Sequence, residues 1–189
     1  FFFLPNKTFD LKECEDTYIL IPKNETFKKS FIIDKTYLKD VLRGPRDSKK
    51  ILLDSNSLKH KLFLCNINKD HMDKSIKDYV EWGEQKGFHK NVSCSKRKRW
   101  WALPVIKGKI FWSRAHHNSH RIYYSTKDVH ASDNFSILKP KDIDAWLLAT
   151  ILNSTFVWLM KETFGRRNLG QGALGTLGVD IENLFILNP

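Results

Sequence analysis

The order of apolar patterns along the chain constrains the fold more strongly than any other feature of the sequence. Short runs with strand composition come first, at TYILIP (17–22) and SFIID (30–34), and further runs follow at KKILLD (49–54) and KLFLCNI (61–67). Helical spacing occurs in separate places and does not alternate regularly with these runs. A parallel sheet made of βαβ units needs that alternation, so the sequence predicts an α+β fold of mixed strands and a few helices.

Two segments in the first half of the chain carry helical signals. DKTYLKDVLRGP (34–45) can be capped by its first residue, Asp34, and its Gly-Pro pair would stop a short helix. DKSIKDYVEWGEQKG (73–87) also begins with a possible cap, and its apolar residues recur at helical spacing. We therefore predict two helices here, the second ending near Gly83 or Gly87.

The C-terminal part of the chain changes to a helical pattern after Pro140. Asp142 can cap a helix rich in Trp, Leu and Ile, with a break near Asn153 and Ser154. The glycine-rich stretch GRRNLGQGALG (165–175) follows. Its glycines would let the backbone approach a phosphate, while a helix C-cap followed by a loop explains them equally well. The sequence predicts a C-terminal helical segment followed by a glycine-rich loop.

Positive charge is concentrated in one stretch of the chain. The net charge is +11, and the acid-free segment from Gln85 to Lys127 contains no Asp or Glu. Eleven Lys and Arg and four of the seven His lie in this segment, whereas the remainder of the chain holds as many acidic as basic residues. A merely soluble surface mixes both signs. The segment is therefore typical of a face that binds a polyanion, such as nucleic acid or an anionic membrane surface.

The cationic hexamer KRKRWW (96–101) lies within the acid-free segment. Its cations can neutralise phosphates, and its two tryptophans can stack on bases or on arginine side chains. The alternative is the end of a strand, with the tryptophans in the core and the cations in solvent. The wider stretch RWWALPVIKGKIFWSRA (99–115) favours strands joined by a turn at Lys107 and Gly108. On a strand, one tryptophan of the pair should point inward.

Cysteine usage and hydropathy bear on the compartment. Cys14, Cys65 and Cys94 are odd in number and widely spaced, so they indicate neither a disulfide framework nor a zinc ribbon. The chain has no apolar run of the roughly 18 residues that a membrane span requires. These features predict a soluble protein of the reducing cytoplasm, with no membrane partner.

Two clusters suggest other chemistry. HHNSH, with His116, His117 and His120, could hold a metal on paper, but we expect exposed loop residues or phosphate contacts and no metal site. Glu84 and Lys86 form a Glu-x-Lys pair, which metal-dependent nucleases use beside an upstream acid. Here Asp54 or Asp70 could supply that acid, although the pair falls in a helical pattern. The chain has no Asn/Asp-Pro-Pro-aromatic tetrapeptide and no Walker loop, so we predict no catalytic residue in it.

The order of several short motifs resembles the C-terminal target recognition domain of adenine-specific DNA methyltransferases from restriction-modification systems. The most specific part pairs a Leu-Asn-Ser helix (152–154) with the glycine-rich stretch and a DIENL ending. The motifs, in chain order, are YLKDVLRGPRD, DYVEWGEQKG, RWWAL, SDNFSILKP, LLATILNSTF and GRRNLGQGALGTLGVDIENLFI. The resemblance extends over most of the chain.

This resemblance implies that residues 1–189 form one DNA target recognition domain, the C-terminal part of a larger enzyme whose catalytic domain precedes it. That N-terminal methyltransferase domain would bind S-adenosylmethionine, with no cofactor in this chain, and double-stranded DNA would be the partner. The alternatives are a metal-dependent nuclease domain and an RNA-binding accessory domain. The residues expected to bind DNA are Lys96, Arg97, Lys98, Arg99, Trp101, Arg114, Arg121, Arg166, Arg167 and Gln171. The lysines suit phosphates, and Arg99 or Arg114 suits bidentate contact with guanine.

Overall fold

A computed structural model describes residues 2–24, 28–116, 119–166, 173–176 and 178–184. The chain divides into two compact units, each built from two stretches of sequence. Unit 1 comprises Phe1–Asp40 and Lys59–Val105, and unit 2 comprises Val41–Leu58 and Ile106–Pro189. Both units contain strands and helices, which confirms the predicted α+β class.

Unit 1 contains an antiparallel sheet of three strands. The strands are β1 (Phe9–Glu13), β2 (Thr17–Pro22) and β3 (Phe31–Asp34), in that spatial order. Alternate residues of β2 and β3 are buried, as the period of two in a half-buried strand requires. The predicted strands at 17–22 and 30–34 are thus confirmed.

Helix α1 (Lys74–Gln85) packs its apolar face on this sheet. Tyr79 is fully buried, and its ring centroid lies 5.2 Å from that of Phe31 on β3. The Tyr79 hydroxyl donates to the carbonyl of Phe2 at 2.7 Å, and burial raises the pKa of this phenol. The chain leaves the helix through Gly87, whose φ of 77° favours glycine. The helix predicted at 73–87 and its end near Gly87 are confirmed.

The predicted helix at 34–45 is wrong. Asp34 does cap a helical turn, because its Oδ1 accepts from the Thr36 backbone N–H at 2.7 Å, but this turn is a 3-10 helix of three residues, Lys35–Tyr37. The chain then continues as β4 (Leu38–Leu42). Pairing with a distant strand, described below, decides the conformation of this short apolar run against its helical spacing.

Unit 2 is built on a sheet in which β6 (Lys107–Ser113) has a partner strand on each side. This strand runs antiparallel to β8 (Ile122–Ala131) on one side and to β9 (Phe135–Leu138) on the other. The end of β4 lies on the far side of β8, where Val41 and Leu42 pair in parallel with it. A separate two-stranded ladder joins β7 (Ala115–His116) to β10 (Leu174–Gly175).

Both faces of β6 are covered. Ile110 and Trp112 face a core that includes Ala149, Leu152 and Val157 from two helices. These helices are α3 (Ala145–Leu152) and α4 (Thr155–Phe164), and a short α5 (Gly178–Glu182) adds Ile181 to the same cluster. Phe111 faces the opposite core with Leu42, Tyr123 and Phe135. A strand buried on both faces reads as a continuous apolar run, which fits IFW (110–112).

Asn153 explains the break between α3 and α4. Its side-chain amide donates to the carbonyls of Ile122 and Ala149, each at 2.8 Å, and its Oδ1 accepts from the Ile122 N–H at 3.0 Å. Ser154 then caps α4. The predicted break is confirmed, but the predicted cap at Asp142 is wrong. Asp144 caps α3 instead, because its Oδ1 lies within hydrogen-bond distance of two backbone N–H groups of the first turn.

Three strand and turn expectations also differ from the structure. KKILLD (49–54) is not a strand, and only Leu52 forms an isolated bridge to Tyr124. KLFLCNI contributes to the shorter β5 (His60–Phe63). Gly108 is no turn residue, because it lies within β6 at a register shift and packs against the side chain of Ile137. Glycine in a strand often marks such a bulge or close approach.

Candidate nucleic-acid interface

The acid-free segment divides between the two units. Residues up to Val105 belong to unit 1, and those from Ile106 onward belong to unit 2. The cationic hexamer therefore lies in unit 1, whereas Arg114 and Arg121 lie in unit 2. Charge that is continuous in sequence is therefore divided between two compact units.

The tryptophans of the hexamer belong to the core of unit 1. Trp100 is 8% exposed and Trp101 is 9% exposed, and each indole N–H is used within the protein. Trp100 Nε1 donates to Glu84 Oε1 at 3.1 Å, and Trp101 Nε1 donates to the carbonyl of Ile67 at 3.3 Å. Trp100 also packs so closely on α1 that a Cβ at Gly83 would lie 2.6 Å from its ring. The expected strand is wrong, since the hexamer forms a stretch of turns that follows α2 (Val92–Ser95). The alternative that placed both tryptophans in the core is confirmed on that point.

The arginines of the hexamer brace the surrounding loops. Arg97 donates to the carbonyl of Ala102 at 3.2 Å, and its guanidinium lies 5.5 Å from the Phe3 ring centroid. Arg99 donates to the Asn66 carbonyl and, at 3.3 Å, to Asn68 Oδ1. Both side chains are half-buried. Their donors are thus partly engaged within unit 1.

The lysines of the hexamer are the exposed part. Lys96 and Lys98 are both exposed, and within the described ranges neither side chain makes a hydrogen bond or an ion pair. They remain available to an external anion. Of the ten residues expected to bind DNA, these two have the most open surroundings in unit 1.

Arg114 lies at the end of β6 and is exposed. Its Nε donates to Ser136 Oγ at 3.4 Å, and its backbone is held on both sides, by Asn134 and by Thr176. A side chain on a strand end whose backbone is fixed projects reproducibly into solvent. Arg114 therefore retains most of its guanidinium for an external partner.

Arg166 is already paired. Its Nε and Nη2 bind both carboxylate oxygens of Asp180 at 3.0 to 3.3 Å, and this hydrogen bonding raises the pKa of Arg166. The pair joins the region after α4 to α5. Arg167 and Gln171 lie outside the described residues, so their proposed roles stay predictions.

Arg121 lines a pocket in unit 2 of about 350 Å³. A second arginine, Arg46, lines the same pocket and belongs to the LRGPRD motif (42–47). His116, Ser119 and Tyr123 also line it. The two arginines come from distant parts of the sequence, and the fold brings them together.

The LRGPRD motif forms a fixed turn at this pocket. Asp47 Oδ2 accepts from the backbone N–H groups of Arg43 and Gly44 at 2.6 and 3.1 Å. The Tyr123 hydroxyl donates to the Pro45 carbonyl at 2.9 Å, and the Arg43 carbonyl accepts from Ser132 Oγ at 2.5 Å. A carboxylate that accepts two backbone N–H bonds holds a tight turn. Arg46 is thus presented from a rigid loop.

Two histidines, His116 and His120, lie beside each other, and His116 lines the pocket. His116 is 8% exposed, and neither of its ring nitrogens has a hydrogen-bond partner among the described residues, although its Nε2 lies 3.5 Å from Glu162 Oε1. His120 is half-buried, and its Nε2 donates to the Leu152 carbonyl at 2.7 Å. Burial lowers the pKa of His116 and brings that of His120 to about 4. Neither histidine is exposed, so the expectation of exposed loop residues is wrong for these two, while the alternative of phosphate contacts stays a prediction. His117 lies outside the described residues.

Lys161 on α4 lies close to these histidines. It is 1% exposed, its Nζ is 4.6 Å from the Trp112 ring centroid, and the nitrogen has no hydrogen-bond partner in the described part of the chain. Burial lowers its pKa to about 7. Neither Lys161 nor Arg46 was among the residues predicted from the sequence. LRGPRD gave a signal for Arg46, since Asp after Gly-Pro-Arg is typical of a turn, while an isolated lysine among apolar residues of a helix was the signal for Lys161.

The carboxylate of the Glu-x-Lys pair is engaged inside unit 1. Glu84 Oε2 binds Lys69 Nζ at 2.8 Å, and its Oε1 accepts from Trp100. Desolvation alone would raise the pKa of Glu84, but the hydrogen bonds from Lys69 and Trp100 and the nearby positive charge together outweigh it, so the pKa is lowered. Within the described ranges, no group of three or more His, Cys, Asp or Glu could hold a metal ion. Nor does any described helix have the length and hydropathy to cross a membrane.

Comparison with known proteins identifies the family. Residues 1–188 match the model of the C-terminal domain of the type II methyltransferase M.Eco57I, so the chain belongs to this family. The fold is similar to part of the type IIG restriction endonuclease BpuSI, with a TM-score of 0.56 and 16% sequence identity over 82% of this chain. The matched region is 19% of BpuSI, so the chain spans about a fifth of that enzyme. No curated protein sequence matches the chain.

Proposed function

We propose that this chain is the DNA target recognition domain of an adenine-specific DNA methyltransferase, or of an enzyme that fuses methylation with restriction. Residues 1–189 would form the recognition part, and a methyltransferase domain earlier in the same polypeptide would transfer the methyl group. The recognition domain would bind duplex DNA and hold the target site while the adenine is flipped into the catalytic domain. The cytoplasm, where cellular DNA and S-adenosylmethionine are available to a bacterial-type modification enzyme, is the compartment we propose.

The acid-free segment is the observation that carries this proposal. Its exposed cations in unit 1 include Lys96 and Lys98, and those in unit 2 include Lys109, Arg114 and Lys127. Such a one-signed field is unfavourable without a polyanion, and it releases counterions when phosphates replace them. Membership in a family of DNA-modifying enzymes makes DNA the fitting polyanion.

The chemistry of the cations divides their proposed roles. Lys96 and Lys98 are exposed point charges, which suit phosphates and carry no sequence information. Arg114 is exposed and projects from a held strand end, so its planar guanidinium suits the two acceptors of a guanine edge. Arg97 and Arg99 would act mainly by holding the loop that presents the lysines, because their donors are engaged within unit 1. A role for Trp101 would be structural in the same sense, since its ring is buried.

S-adenosylmethionine belongs to the proposed parent enzyme and not to this chain. The adenine-binding tetrapeptide Asn/Asp-Pro-Pro-aromatic is absent from residues 1–189. The residues present therefore do not fit an adenine-methylating centre, and no step of methyl transfer is assigned to them.

The nuclease alternative is disfavoured by the surroundings of Glu84. Both of its carboxylate oxygens have partners within unit 1, from Lys69 and Trp100. A magnesium-dependent nuclease needs carboxylate oxygens that face the metal and the scissile phosphate. Magnesium-dependent cleavage by the protein that disappears in Glu84→Ala would nevertheless restore this alternative.

The test uses the full-length protein with duplex DNA. We expect binding whose log K falls with log salt concentration at a slope of about −0.9 per phosphate contact, with roughly 4–6 contacts. Sequencing of methylated sites should show adenine methylation at one recognised sequence, and substitutions in this chain should change that sequence. A salt response near zero, or duplex RNA that competes as well as duplex DNA, would contradict the proposal and favour the RNA-binding alternative.

A further inference from the structure

We propose that the pocket of unit 2 between Arg46 and Arg121 binds one phosphate group of the DNA backbone. This inference rests on the proposed function and deepens it, because it assigns a particular site and ligand within a surface otherwise described only by its charge. The pocket, at about 350 Å³, lies at the small end of the roughly 300–1,000 Å³ usual for small ligands. It can admit a phosphate with part of its sugar, but not a stacked base pair.

The charge of the pocket lining is of one sign. Arg46 and Arg121 are the only charged side chains in the described lining, since the His116 ring is neutral near pH 7, and no carboxylate belongs to it. Neither arginine forms an ion pair in the described part of the chain. The nearest acid in sequence, Asp47, directs its Oδ2 to two backbone N–H groups of its own turn. Two guanidinium groups at one concave site form the donor set that oxyanions of phosphate prefer.

The polar groups that line the pocket divide into engaged and available donors. The Tyr123 hydroxyl is engaged by the Pro45 carbonyl, and Ser113 Oγ is engaged by the Ala115 carbonyl at 2.6 Å. These bonds fix the pocket wall. The available donors are Arg46, Arg121, Ser119 and His116, which can approach an anion from several sides.

His116 supplies an observation that is independent of the arginines. Its ring is more than nine-tenths buried and lines the pocket; Nε2 faces Glu162 Oε1 at 3.5 Å, whereas Nδ1 has no hydrogen-bond partner among the described residues. A buried unpaired polar group costs free energy, so it is normally matched by a protein group, a water or a ligand. A phosphate oxygen in the pocket would supply the partner that Nδ1 lacks.

The surroundings of His116 make phosphate binding sensitive to pH. Lys161 and Glu162 face it from α4, His120 faces it from the segment before β8, and the backbone of Leu174 pairs beside it from β10. Desolvation and the Lys161 charge lower the pKa of His116, and Glu162 opposes them, so the free ring is neutral near pH 7. A phosphate would favour the protonated ring and raise this pKa. Binding should therefore strengthen as the pH falls through the histidine range.

The decisive experiment is a methylphosphonate scan with the full-length protein. Each phosphate of a bound duplex is replaced in turn by a neutral methylphosphonate, and affinities are measured for wild type, Arg46→Ala and Arg121→Ala. We expect each variant to bind the unmodified duplex about 10-fold more weakly, with a salt slope shallower by about one unit. At one backbone position, the methylphosphonate should weaken wild type but should not weaken either variant further. Lys109→Ala is the matched control, since Lys109 is an exposed cation of unit 2 outside the pocket and should not select that position.

A second measurement tests whether the pocket binds phosphate in the absence of DNA. Inorganic phosphate, compared with chloride at equal ionic strength, should raise the melting temperature of wild type more than that of Arg46→Ala, while Lys109→Ala should behave as wild type. Arg46→Lys, which keeps the charge but loses the fork of donors, should lie between the two. His116→Gln should remove the strengthening of duplex binding between about pH 8 and about pH 5.5.

The outcomes separate this inference from the proposed function. If the protein methylates one sequence but Arg46→Ala and Arg121→Ala remain sensitive at every methylphosphonate position, the pocket assignment is wrong and the proposed function stands. If duplex binding is absent but phosphate still stabilises wild type over Arg46→Ala, the pocket binds phosphate and the recognition role fails. Equal stabilisation of all variants by phosphate, together with no selected position, overturns the pocket altogether.

Discussion

The cationic hexamer of unit 1 and the arginine pocket of unit 2 present positive charge in opposite ways. The hexamer contains four consecutive cations, yet its two arginines are tied to neighbouring loops and its tryptophans are buried, so only two lysines are left open. The pocket draws Arg46 and Arg121 from distant segments, and both face one cavity. Density of charge along a sequence is therefore a poor guide to convergence of charge in space. The convergence of charge depends on which side chains are already buried in the core or hydrogen-bonded to loops.

The largest change in stability should come from substitution of the two tryptophans of the hexamer. Trp100→Ala and Trp101→Ala remove large side chains from the core of unit 1, and each should lower the free energy of unfolding by about 3–5 kcal/mol. Chemical denaturation of the full-length protein measures this, with Trp100→Phe as a milder variant that keeps much of the packing. A loss within about 0.5 kcal/mol, the range of surface substitutions, would show that the tryptophans face solvent.

Lys161, which is buried close to His116, should make the free energy of unfolding depend on pH. The pKa of Lys161 is lowered to about 7 in the folded protein, far below that of an unfolded lysine. Between these two values the unfolded state binds more protons, so stability should rise with pH from about 7 to about 10. Lys161→Met should remove this rise and should stabilise the protein near pH 7 by on the order of 2–4 kcal/mol. Urea denaturation across this pH range tests it, with the exposed Lys109→Met as the matched control, and a pH profile equal to that of wild type would contradict it.

Sequence discrimination should separate the exposed arginine from the engaged one. Arg114→Ala, made in the full-length protein, should relax one base position of the methylated sequence by about 1–3 kcal/mol of discrimination. Arg99→Ala should leave the sequence unchanged, because its guanidinium is bonded to Asn66 and Asn68. Sequencing of methylated DNA reads both variants. If Arg99→Ala relaxes the recognised sequence and Arg114→Ala does not, the prediction is reversed, and a residue of the hexamer contacts the bases.

The smallest effect should come from the hexamer lysines. Lys96→Ala and Lys98→Ala should each weaken DNA binding to a similar extent on every sequence, and each lost phosphate contact should make the salt slope shallower by about one unit. Stability should stay within about 0.5 kcal/mol of wild type, as for other exposed positions. Binding measured on a recognised and an unrelated duplex at several salt concentrations distinguishes this from base reading, which would weaken only the recognised one.

Local sequence signals predicted the elements that are long or strongly patterned. The amphipathic stretch at 73–87 became α1, and TYILIP became β2, because each carries a complete apolar face of its own. Asn153 and Ser154 marked the break between α3 and α4, since both residue types favour caps over helix interiors. The motif order also identified the family correctly.

Short or ambiguous runs were decided by their partners. Residues 38–42 have helical spacing and a helical cap signal, yet they form β4 because Val41 and Leu42 find a strand partner in β8. RWWAL has strand composition but folds as turns, because both indoles are held by groups of unit 1, Glu84 and the Ile67 carbonyl. A run of about five residues cannot bury its apolar side chains alone, so its conformation follows the surface on which it packs.

The sequence by itself determined the mixed α+β class, the family, and the confinement of net charge to the acid-free segment. These properties are set by composition and local pattern, which no packing can alter. Only the tertiary structure decided which cations are free. Arg99 is bonded to Asn66, Arg166 is paired with Asp180, and Arg46 and Arg121 line one pocket although they lie far apart in the chain. Burial and pairing depend on residues far apart in the chain. They decide whether a charged side chain is free to bind a partner, more than its neighbours in sequence do.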